Sequence, residues 1–574
     1  MSQPQVSPQC RRGRFGGMAP AQLRPALLSC LLSGAAALSS SIAAPRAAAS
    51  WRSADWASCF RSATECRDRV DLDVLRGAVP PALEGTVYKV GPGRFEAGDE
   101  PFAHWLDGDG FAFAVEFRGG AASFVARFVE TAGFADEARA GAVVWRTTFG
   151  TNRRGGPLAN AFDLRLKNPA NTALLPLPGR GVVLARWEAG PPHALDARTL
   201  ETLGPDDLGG ALAVGPPGAL PLAAPAAVPL ATGDALSAHA KTCAATGRTV
   251  CWSWRNAAVG DDLAVRILEL DAGGAVAERR AASTLEGAAF APHDFAVTRD
   301  ACSWVTCPTK VEPLPYILGL RGPAQTAFFD GAKIAAGEGA TVHRVGRRGG
   351  PAERVPCAGA YHAVHVAAAW DRTVLACCWP PAAVASMAER RADVLGDWGQ
   401  LLAGDFSSVA VTQLVRFDLD RRVGGRVAPE VLCGGAHLDH AKQHPRYGGL
   451  EARYVFAAAG DGVARGDAAD PAYAAPQPPQ AFVRVDVAGG GAVADAWRCG
   501  PRRFVDDAVL VDVGDGELDV FVVAPGFDAA TKTSTIVVLD GGDLAAGPVC
   551  ELALPGDMFI PWGLHGAWAP RKRR

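Results

Sequence analysis

The stretch APHDFAVTRD, residues 291–300, places a histidine and an aspartate directly before an apolar run that is typical of a short β-strand. A histidine in this setting is a metal ligand, a general base or a core residue with a hydrogen-bonded ring. Asp294 either caps the start of the strand or orients a neighbouring side chain. The interpretation of His293 depends on whether other histidines occur in the same setting.

Three other stretches place histidine at the edge of a strand-like apolar run. They are LSAHAKTC with His239, AYHAVHVAAAW with His362 and His365, and IPWGLHGAW with His565. No zinc-finger or HExxH spacing relates them, so local spacing does not predict a metal site. Histidines so far apart in sequence meet if the fold brings several strand ends to one axis, as the inner strands of a β-propeller do.

Short runs rich in Val, Phe, Leu and Trp, bounded by turn residues, recur from about residue 80 onward and predict many strands. The clearest runs are residues 122–132, 181–190, 249–254, 264–272, 411–420, 453–460, 481–490, 518–528 and 534–544. Helical periodicity is best developed in residues 382–404, which we expect to be an insertion between strands. So many strands without a linker favour one large closed β architecture, and a β-propeller over a sandwich, although no internal repeat is visible.

The composition is ordinary for a globular protein, with 49% hydrophobic and 20% charged residues in a chain of 574. A formal net charge of −3 gives no indication of a nucleic-acid partner. The 14 cysteines contain no CxxC pair and are typical of small buried hydrophobic residues.

Residues 1–54 differ from the rest, because they are rich in Arg, Ala and Ser and contain no acidic residue. Their apolar run, LLSCLLSGAAAL at residues 27–38, is shorter than the roughly 20 residues that span a bilayer. This pattern predicts a targeting segment, first a plastid (chloroplast) transit peptide. A secretory signal and a disordered tail are the alternatives. Residues 55–574 are then a single domain.

A second group of histidines lies in HLDHAKQH, where His437, His440 and His444 surround Asp439. On a helix, His440 and His444 would share a face and could bind zinc. No Glu follows His440 to act as a base, and Pro445 interrupts the segment. We therefore expect a solvated loop here rather than a zinc site.

Seven stretches, taken in order, resemble the carotenoid cleavage oxygenases, a family related to the retinal pigment epithelium isomerohydrolase. They are GTVYKVGPGRFEAG (85–98), HWLDGDGFAFAVEF (104–117), FVARFVETAGFADE (124–137), LKNPANTALL (166–175), LARWEAGPPHALDARTLETLG (184–204), STIVVLDGGDL (534–544) and LPGDMFIPWGLHGAW (554–568). The resemblance runs from about residue 80 to about residue 570.

The resemblance implies a seven-bladed β-propeller with a helical, loop-rich dome over its metal-bearing face. It also implies one iron(II) on the propeller axis, held by His239, His293, His362 and His565. Two carboxylates match positions that hydrogen-bond the other ring nitrogens of such ligands: Glu188 in RWEAG, and Asp439, where the family usually has Glu. No catalytic residue beyond the metal ligands is implied, and substrate-binding residues are not assigned.

The third histidine motif departs from the family pattern H-x-x-N-A-x-E. Counted from His362, it has His365 at the Asn position and Ala368 at the Glu position. Motif register favours His362 as the ligand, and the alternative exchanges the roles of the two histidines. Three positions apart on one strand, they point to opposite faces, so both are not expected to be ligands.

The implied reaction is dioxygen-dependent cleavage of a carotenoid or apocarotenoid double bond to two carbonyl products. A polyene offers no proton to abstract, so the general-base interpretation of His293 drops out. The alternatives are an isomerase or isomerohydrolase on the same scaffold and a non-catalytic propeller that binds a partner. The apolar residues 313–329 are the expected dome segment near a substrate tunnel, with peripheral membrane contact if they are exposed.

Overall fold

Valine, alanine and aromatic residues between turns form β-strands along most of the chain that the structure describes. This computed structural model describes residues 50–223, 231–257, 260–279, 282–393, 401–407 and 409–571. Within these ranges, seven sheets contain four or more strands each. The expected mostly β architecture is therefore confirmed. No helix in the same ranges is long and apolar enough to cross a membrane.

The large sheets are numbered I to VII in chain order. Sheet I has the order Cys66–Asp71, Ala121–Phe128, Asp109–Arg118, Gly85–Arg94 and Gly566–Pro570. Sheet II has the order Thr202–Pro205, His193–Asp196, Val182–Arg186 and Ala173–Leu177. Sheet III contains Leu222–Ala223, Ala235–Leu236, Lys241–Cys243, Arg248–Ala257, Leu263–Leu270, Val276–Arg279 and Ser283–Leu285. Sheet IV has the order Ala296–Val297, Ala301–Thr306, Thr341–Gly346 and Glu353–Pro356.

The remaining strands complete three large and three small sheets. Sheet V has the order His362–Trp370, Thr373–Trp379, Gln413–Asp418 and Glu430–Val431. Sheet VI has the order Leu438–Lys442, Tyr454–Ala459, Ala481–Asp486 and Ala492–Arg498. Sheet VII contains Val74–Gly77, Pro548–Ala553, Thr533–Asp540, Val520–Asp528, Arg503–Val505 and Val509–Asp512. Two-stranded sheets pair Glu96–Ala97 with Glu100–Pro101, Thr309–Val311 with Ala327–Phe329, and Arg422–Val423 with Arg426–Val427.

Strands from the two ends of the described chain share two sheets. The last strand, Gly566–Pro570, pairs antiparallel with Gly85–Arg94 in sheet I. The early strand Val74–Gly77 pairs antiparallel with Pro548–Ala553 in sheet VII. Sheets I and VII therefore form only when both ends of the chain are in place.

An apolar cluster lies between each consecutive pair of large sheets, and between sheets VII and I. Between sheets III and IV, for example, the rings of Trp252 and Trp304 pack edge to face with centroids 5.5 Å apart. Between sheets VII and I, Val511 and Val538 pack with Phe111 and Phe113. Corresponding clusters join sheets I–II, II–III, IV–V, V–VI and VI–VII. Because both sheet faces are buried, the strands show nearly continuous apolar runs rather than strict alternation.

Among the described residues, the helices are short, and all but the first lie between strands. The α-helices are Ser53–Ala57, Ala132–Ala140, Gly156–Asn160, Leu314–Ile317, Gly331–Ala335, Pro381–Arg390 and Asp461–Ala464. The 3-10 helices are Trp105–Asp107, Ala324–Thr326, Cys433–Gly435, Pro445–Tyr447, Pro471–Tyr473 and Leu544–Ala546.

The helix predicted over residues 382–404 is shorter than expected. It spans Pro381–Arg390 and stops at Arg391, whose φ of 51° is left-handed and ends the α-helical hydrogen bonding. Residues 394–400 of the predicted helix lie outside the described residues. The observed helix is an insertion between two strands of sheet V, as expected.

Trp56 anchors the beginning of the described chain against sheet VII. Its side chain is 1% exposed, and its ring packs edge to face on Phe60, Phe504 and Trp562 with centroids 5.2–5.4 Å apart. Its indole N–H donates to the main-chain oxygen of Leu401 at 2.7 Å. This contact buries a large aromatic surface with its one polar group satisfied.

Replacing Trp56 with alanine is expected to lower the free energy of unfolding by about 3–5 kcal/mol, because the change removes a buried ring and leaves a cavity. Thermal unfolding checks this as a clear fall in melting temperature. Phe162→Ala is the control, because Phe162 is 75% exposed and its loss is expected to change the melting temperature little. Equal melting temperatures for the Trp56 variant and the unmodified chain would contradict the assignment.

Candidate metal centre

Four histidines from four sheets meet at or near the start of one edge strand of each sheet. These edge strands, and the corresponding strand Leu438–Lys442 of sheet VI, are called the inner strands. One histidine lies shortly before Lys241–Cys243, one shortly before Ala296–Val297, one within His362–Trp370 and one directly before Gly566–Pro570. Each offers a ring nitrogen within 4.8 Å of those of the others: His239, His293, His365 and His565. The same strands continue from the histidines to line a cavity of about 570 Å³.

The nitrogens that face one another are the Nε2 atoms. Nε2 of His293 lies 3.0 Å from Nε2 of His239 and 3.3 Å from Nε2 of His365. Nε2 of His365 lies 3.3 Å from Nε2 of His565. Three of the four residues predicted from the sequence, His239, His293 and His565, are therefore brought together with His365.

The structure places His365, not the predicted His362, in this group. The ring of His362 lies outside the group of four and packs against Phe329 and Trp379, with centroids 5.2 Å and 5.0 Å away. Burial, with a smaller effect of His293, lowers the pKa of His362 to about 4. Of the two histidines, His365 is the one whose ring joins the group of four.

The sequence contained a signal for this assignment. Read from His365 instead of His362, the pattern H-x-x-N-A-x-E corresponds to H-V-A-A-A-W-D, which matches its alanine at Ala369 and places Asp371 at the Glu position. Register irregularities also flank His365, between Ala363 and His365 and again between Val366 and Ala368. Such bulges re-aim side chains, and simple counting along a strand does not anticipate them.

Both predicted carboxylates lie behind the histidines. Oε1 of Glu188 is 2.8 Å from Nδ1 of His293. Oδ1 of Asp439 is 2.7 Å from Nδ1 of His365. Each carboxylate thus fixes the orientation of one imidazole ring from the side opposite Nε2.

A third carboxylate, Asp507, was not found from the sequence. Its Oδ2 accepts from Nδ1 of His565 at 3.0 Å. The available signal was an acidic pair, Asp506 and Asp507, immediately before the strand Val509–Asp512. Among the described residues, Oδ1 of Asp294 is the nearest carboxylate oxygen to Nδ1 of His239. The distance of 3.7 Å is too long for a hydrogen bond.

Asp294 instead ties the inner strands together. Its Oδ2 accepts from the Lys241 ammonium at 2.8 Å and from the main-chain N–H of Val366 at 2.7 Å. Its Oδ1 accepts from the N–H of Phe295 at 2.7 Å. Asp294 therefore fixes the start of its own strand through the N–H of Phe295. It also links sheets III, IV and V next to His293.

Lysines balance the buried carboxylates around the centre. The Lys442 ammonium lies 2.6 Å from Asp507, and burial lowers the pKa of Lys442 despite this contact. The Lys89 ammonium lies 3.2 Å from Asp506 and donates to the main-chain oxygen of Leu564 at 2.8 Å. Because Leu564 directly precedes a histidine of the centre, this bond also fixes the entry to the last strand.

The ionisation of the aspartates determines which nitrogens carry protons. Burial raises the pKa of Asp439, but its contacts with His365 outweigh burial and hold that pKa well below its usual range. Burial likewise raises the pKa of Asp507, and Lys442, followed by smaller effects of neighbouring histidines, lowers it well below its usual range. An ionised carboxylate only accepts hydrogen bonds, so Nδ1 of His365 and of His565 must donate.

Burial favours the neutral form of two of the rings at the centre. Burial, reinforced by neighbouring histidines, lowers the pKa of His239 well below its usual range. Burial also lowers the pKa of His565 well below its usual range, although Asp507 opposes this. For His293, burial lowers the pKa, but the charge and hydrogen bond of Glu188, together with smaller effects of Asp294 and Asp439, raise it overall.

The donor set fits a metal ion. In their neutral forms, His365 and His565 carry the proton on Nδ1, so a lone pair on each Nε2 faces the other across 3.3 Å. Two facing lone pairs repel, and a cation between them converts the repulsion into coordination. Imidazole nitrogens with carboxylates behind them are a recurrent environment for iron and other transition metals.

The second histidine group, in HLDHAKQH, forms neither a helix nor a solvated loop. Residues Leu438–Lys442 are an inner strand, and His444 is 1% exposed. Nδ1 of His444 accepts from the N–H of Arg446 at 3.1 Å, and Nδ1 of His437 accepts from the N–H of Thr412 at 3.0 Å. The ring of His440 instead packs on that of His365, with centroids 4.6 Å apart. The zinc site considered from the sequence is therefore not formed by His440 and His444.

Comparisons with known proteins agree with this geometry. Residues 59–570 match the model of the family described as retinal pigment epithelial membrane protein. Apocarotenoid-15,15'-oxygenase of Synechocystis sp. is 31% identical over 521 residues, 90% of this chain and 96% of that protein. Carotenoid cleavage dioxygenase 7, chloroplastic, of Oryza sativa is 42% identical over 167 residues, 28% of this chain and 27% of that protein.

Solved structures give the same result. A glutamate-to-glutamine variant of Synechocystis apocarotenoid oxygenase superimposes with a TM-score of 0.75 at 28% identity and covers 91% of this chain and 100% of its own. The cobalt-substituted form of that oxygenase matches with the same values. The chain therefore belongs to the retinal pigment epithelial membrane protein family, the family of the carotenoid cleavage oxygenases.

Proposed function

We propose that the chain is an iron(II)-dependent dioxygenase that cleaves a conjugated carbon–carbon double bond of a carotenoid or apocarotenoid and releases two carbonyl products. The observation that carries the proposal is the convergence of four Nε2 atoms, with all carboxylates one step further out. The names of the relatives agree, since they are an apocarotenoid oxygenase and a carotenoid cleavage dioxygenase.

The residues proposed to hold the iron are His239, His293, His365 and His565, and Glu188, Asp439 and Asp507 orient three of them. Because no carboxylate would be among the direct ligands, a bound iron(II) would keep its full positive charge. Bound at this site, iron(II) supplies the redox chemistry that joins dioxygen to a double bond. The protein groups proposed for this reaction bind and orient, and none acts as an acid or a base.

The surroundings of the histidines suit an apolar substrate. The ring of His362 lies between Phe329 and Trp379, and its lowered pKa keeps it uncharged. Trp187, next to Glu188, is 5% exposed and packs in a cluster with Tyr316. We propose that these side chains form part of the wall along which a polyene approaches the metal and that they exclude water from it.

The proposed architecture is a seven-bladed β-propeller in residues 55–574, with the helical insertions forming a dome over the metal-bearing face. Seven large sheets and seven intervening apolar clusters support it, since the cluster between sheets VII and I closes the series. The sharing of strands between the two chain ends also supports closure.

The segment 1–54 is proposed to direct the protein to a plastid, with the secretory pathway as the alternative. A matching relative is named as chloroplastic, which supports the first destination. The folded domain is proposed to begin a few residues before Asp55, because the Ser50 hydroxyl donates to Gln480 at 2.6 Å and the Ser53 hydroxyl to Gly404 at 3.0 Å.

An exposed apolar patch is proposed to contact a membrane, where carotenoids are dissolved. It joins the predicted dome segment 313–329 to the neighbouring helix Gly156–Asn160 and contains Leu158, Phe162, Leu314 and Leu320, which are 96%, 75%, 61% and 54% exposed. The N–H of Phe162 donates to the main-chain oxygen of Ile317 at 2.7 Å, so the two segments form one surface. Exposed apolar side chains grouped in this way favour peripheral membrane binding.

His365→Ala is expected to abolish stoichiometric iron binding, because it removes one of four direct ligands. His362→Ala is the matched variant on the same strand, and it is expected to keep iron at the level of the unmodified chain. Metal analysis of both purified proteins after loading with iron(II) makes the comparison. Loss of iron in the His362 variant with retention in the His365 variant would reverse the assignment.

Product analysis under dioxygen and under argon tests the reaction. The iron-loaded protein is expected to convert a mixed carotenoid extract into pairs of carbonyl products with dioxygen, and to form none under argon. With isotopically labelled dioxygen, the new carbonyl oxygens are expected to carry the label. Equal product formation without dioxygen would contradict a dioxygenase and favour an isomerase or isomerohydrolase.

Flotation with lipid vesicles tests the apolar patch. The unmodified chain is expected to float with the vesicles, and a variant with Leu158→Ser, Phe162→Ser and Leu314→Ser to remain largely in the soluble fraction. Leu203→Ser is the control, because Leu203 is 60% exposed but lies in sheet II, outside the patch. Undiminished flotation of the triple variant would exclude this surface as the contact.

A further inference from the structure

We propose that His440 is a positioning residue. It lies beside both Asp439 and Asp507, the aspartates that orient His365 and His565. This inference rests on the proposed metal site. His440 lies on the inner strand Leu438–Lys442, and its side chain is 11% exposed. Its ring centroid is 4.6 Å from that of His365 and 5.4 Å from that of His565. The four histidine rings of the centre lie 4.5–5.8 Å from one another, so His440 is packed as closely as they are.

His440 contacts the aspartate behind His365 through its main chain. Its N–H donates to Oδ1 of Asp439 at 2.7 Å. The same oxygen lies 2.7 Å from Nδ1 of His365. The position of the Asp439 carboxylate, and through it the tilt of the His365 ring, therefore depends on the main-chain conformation at His440.

His440 faces the aspartate behind His565 through its ring. Its Nδ1 lies 3.7 Å from Oδ1 of Asp507, which places the ring beside that carboxylate but too far away for a hydrogen bond. The other oxygen of Asp507 accepts from Nδ1 of His565. The ring of His440 also stacks on Trp562, in the segment that leads into His565, with an interplanar angle of 20°.

The backbone at His440 is shaped for this double contact. Its φ of 56° is left-handed, a conformation that is uncommon for residues other than glycine, and the pairing of its strand is irregular between Asp439 and Lys442. In a regular strand, Asp439 and His440 would point to opposite faces. The irregularity lets neighbouring residues of one strand both serve the centre, an arrangement that bulges commonly provide next to functional sites.

The two carboxylates concerned are aspartates, one methylene shorter than Glu188. A shorter acid must be carried closer to its imidazole by the backbone. The strand Leu438–Lys442 contributes to this placement for both acids. It carries Asp439, and its His440 ring and Lys442 ammonium both lie beside Asp507. His440 is thus placed to couple the orientations of His365 and His565.

Cobalt(II) binding to the metal-depleted full-length chain tests this role through both affinity and the ligand-field absorption of the bound ion. His440→Phe is expected to weaken cobalt binding about 10-fold and to change the absorption spectrum, because the histidine rings are less well oriented. His440→Asn, which retains a polar side chain toward Asp507, is expected to recover part of the affinity. His444→Phe is the control for loss of a buried histidine outside the centre, and it is expected to keep the parental spectrum.

Three outcomes separate this inference from the proposed function. If the unmodified chain binds no cobalt, both fail. If the unmodified chain binds cobalt, His365→Ala does not, and both His440 variants retain the parental affinity and spectrum, the metal site stands and the role of His440 is excluded. If His440→Phe does not fold, His440→Asn decides, since a parental affinity and spectrum for that variant would also exclude the role.

Discussion

The repulsion between imidazole lone pairs that face one another at the end of the inner strands is the constraint on which the rest of this structure depends. Nε2 of His365 and Nε2 of His565 are held 3.3 Å apart, while each ring donates its Nδ1 proton to an ionised aspartate. Such an arrangement is unfavourable without a cation. The rings are held in position from behind, by carboxylates that are themselves fixed by the strands.

The charges are organised in layers around this point. Imidazoles form the innermost layer, carboxylates follow, and the ammonium groups of Lys241 and Lys442 lie beyond them. The buried carboxylates of Asp294 and Asp507 are thereby paired with an ammonium group, which offsets the cost of removing them from water. Because the lysines and aspartates come from different sheets, the same contacts that order the metal ligands also join the sheets.

The fold and much of the site could be predicted because their signals are local. Strand-like runs with intervening turns predicted the mostly β architecture, and four histidines at strand edges predicted that strand ends meet. The motif context identified His239, His293 and His565 among the clustered residues and Glu188 and Asp439 behind them. Each of these is set by a short stretch of sequence that resembles a known pattern.

The remaining parts depend on geometry that short patterns do not contain. His365 rather than His362 lies in the histidine group. Motif register counted from His362 does not show this, because the strand pairing is irregular on both sides of His365. Asp507 comes from a different sheet from the histidine it orients and has no motif of its own. His440 faces the centre only because its backbone is left-handed at that position, whereas the sequence favoured a loop. The packing of the helix Ser53–Ala57 could not be predicted for the same reason, since the indole of Trp56 contacts Leu401, hundreds of residues away in sequence.

The most direct measurement is anomalous diffraction at the iron absorption edge from crystals of the iron-loaded protein. The account predicts one strong peak enclosed by the Nε2 atoms of His239, His293, His365 and His565, with no protein carboxylate bound to it and His362 outside its coordination sphere. A peak bound by His362 in place of His365, a protein carboxylate or cysteine among the direct ligands, or no peak at this position would contradict it.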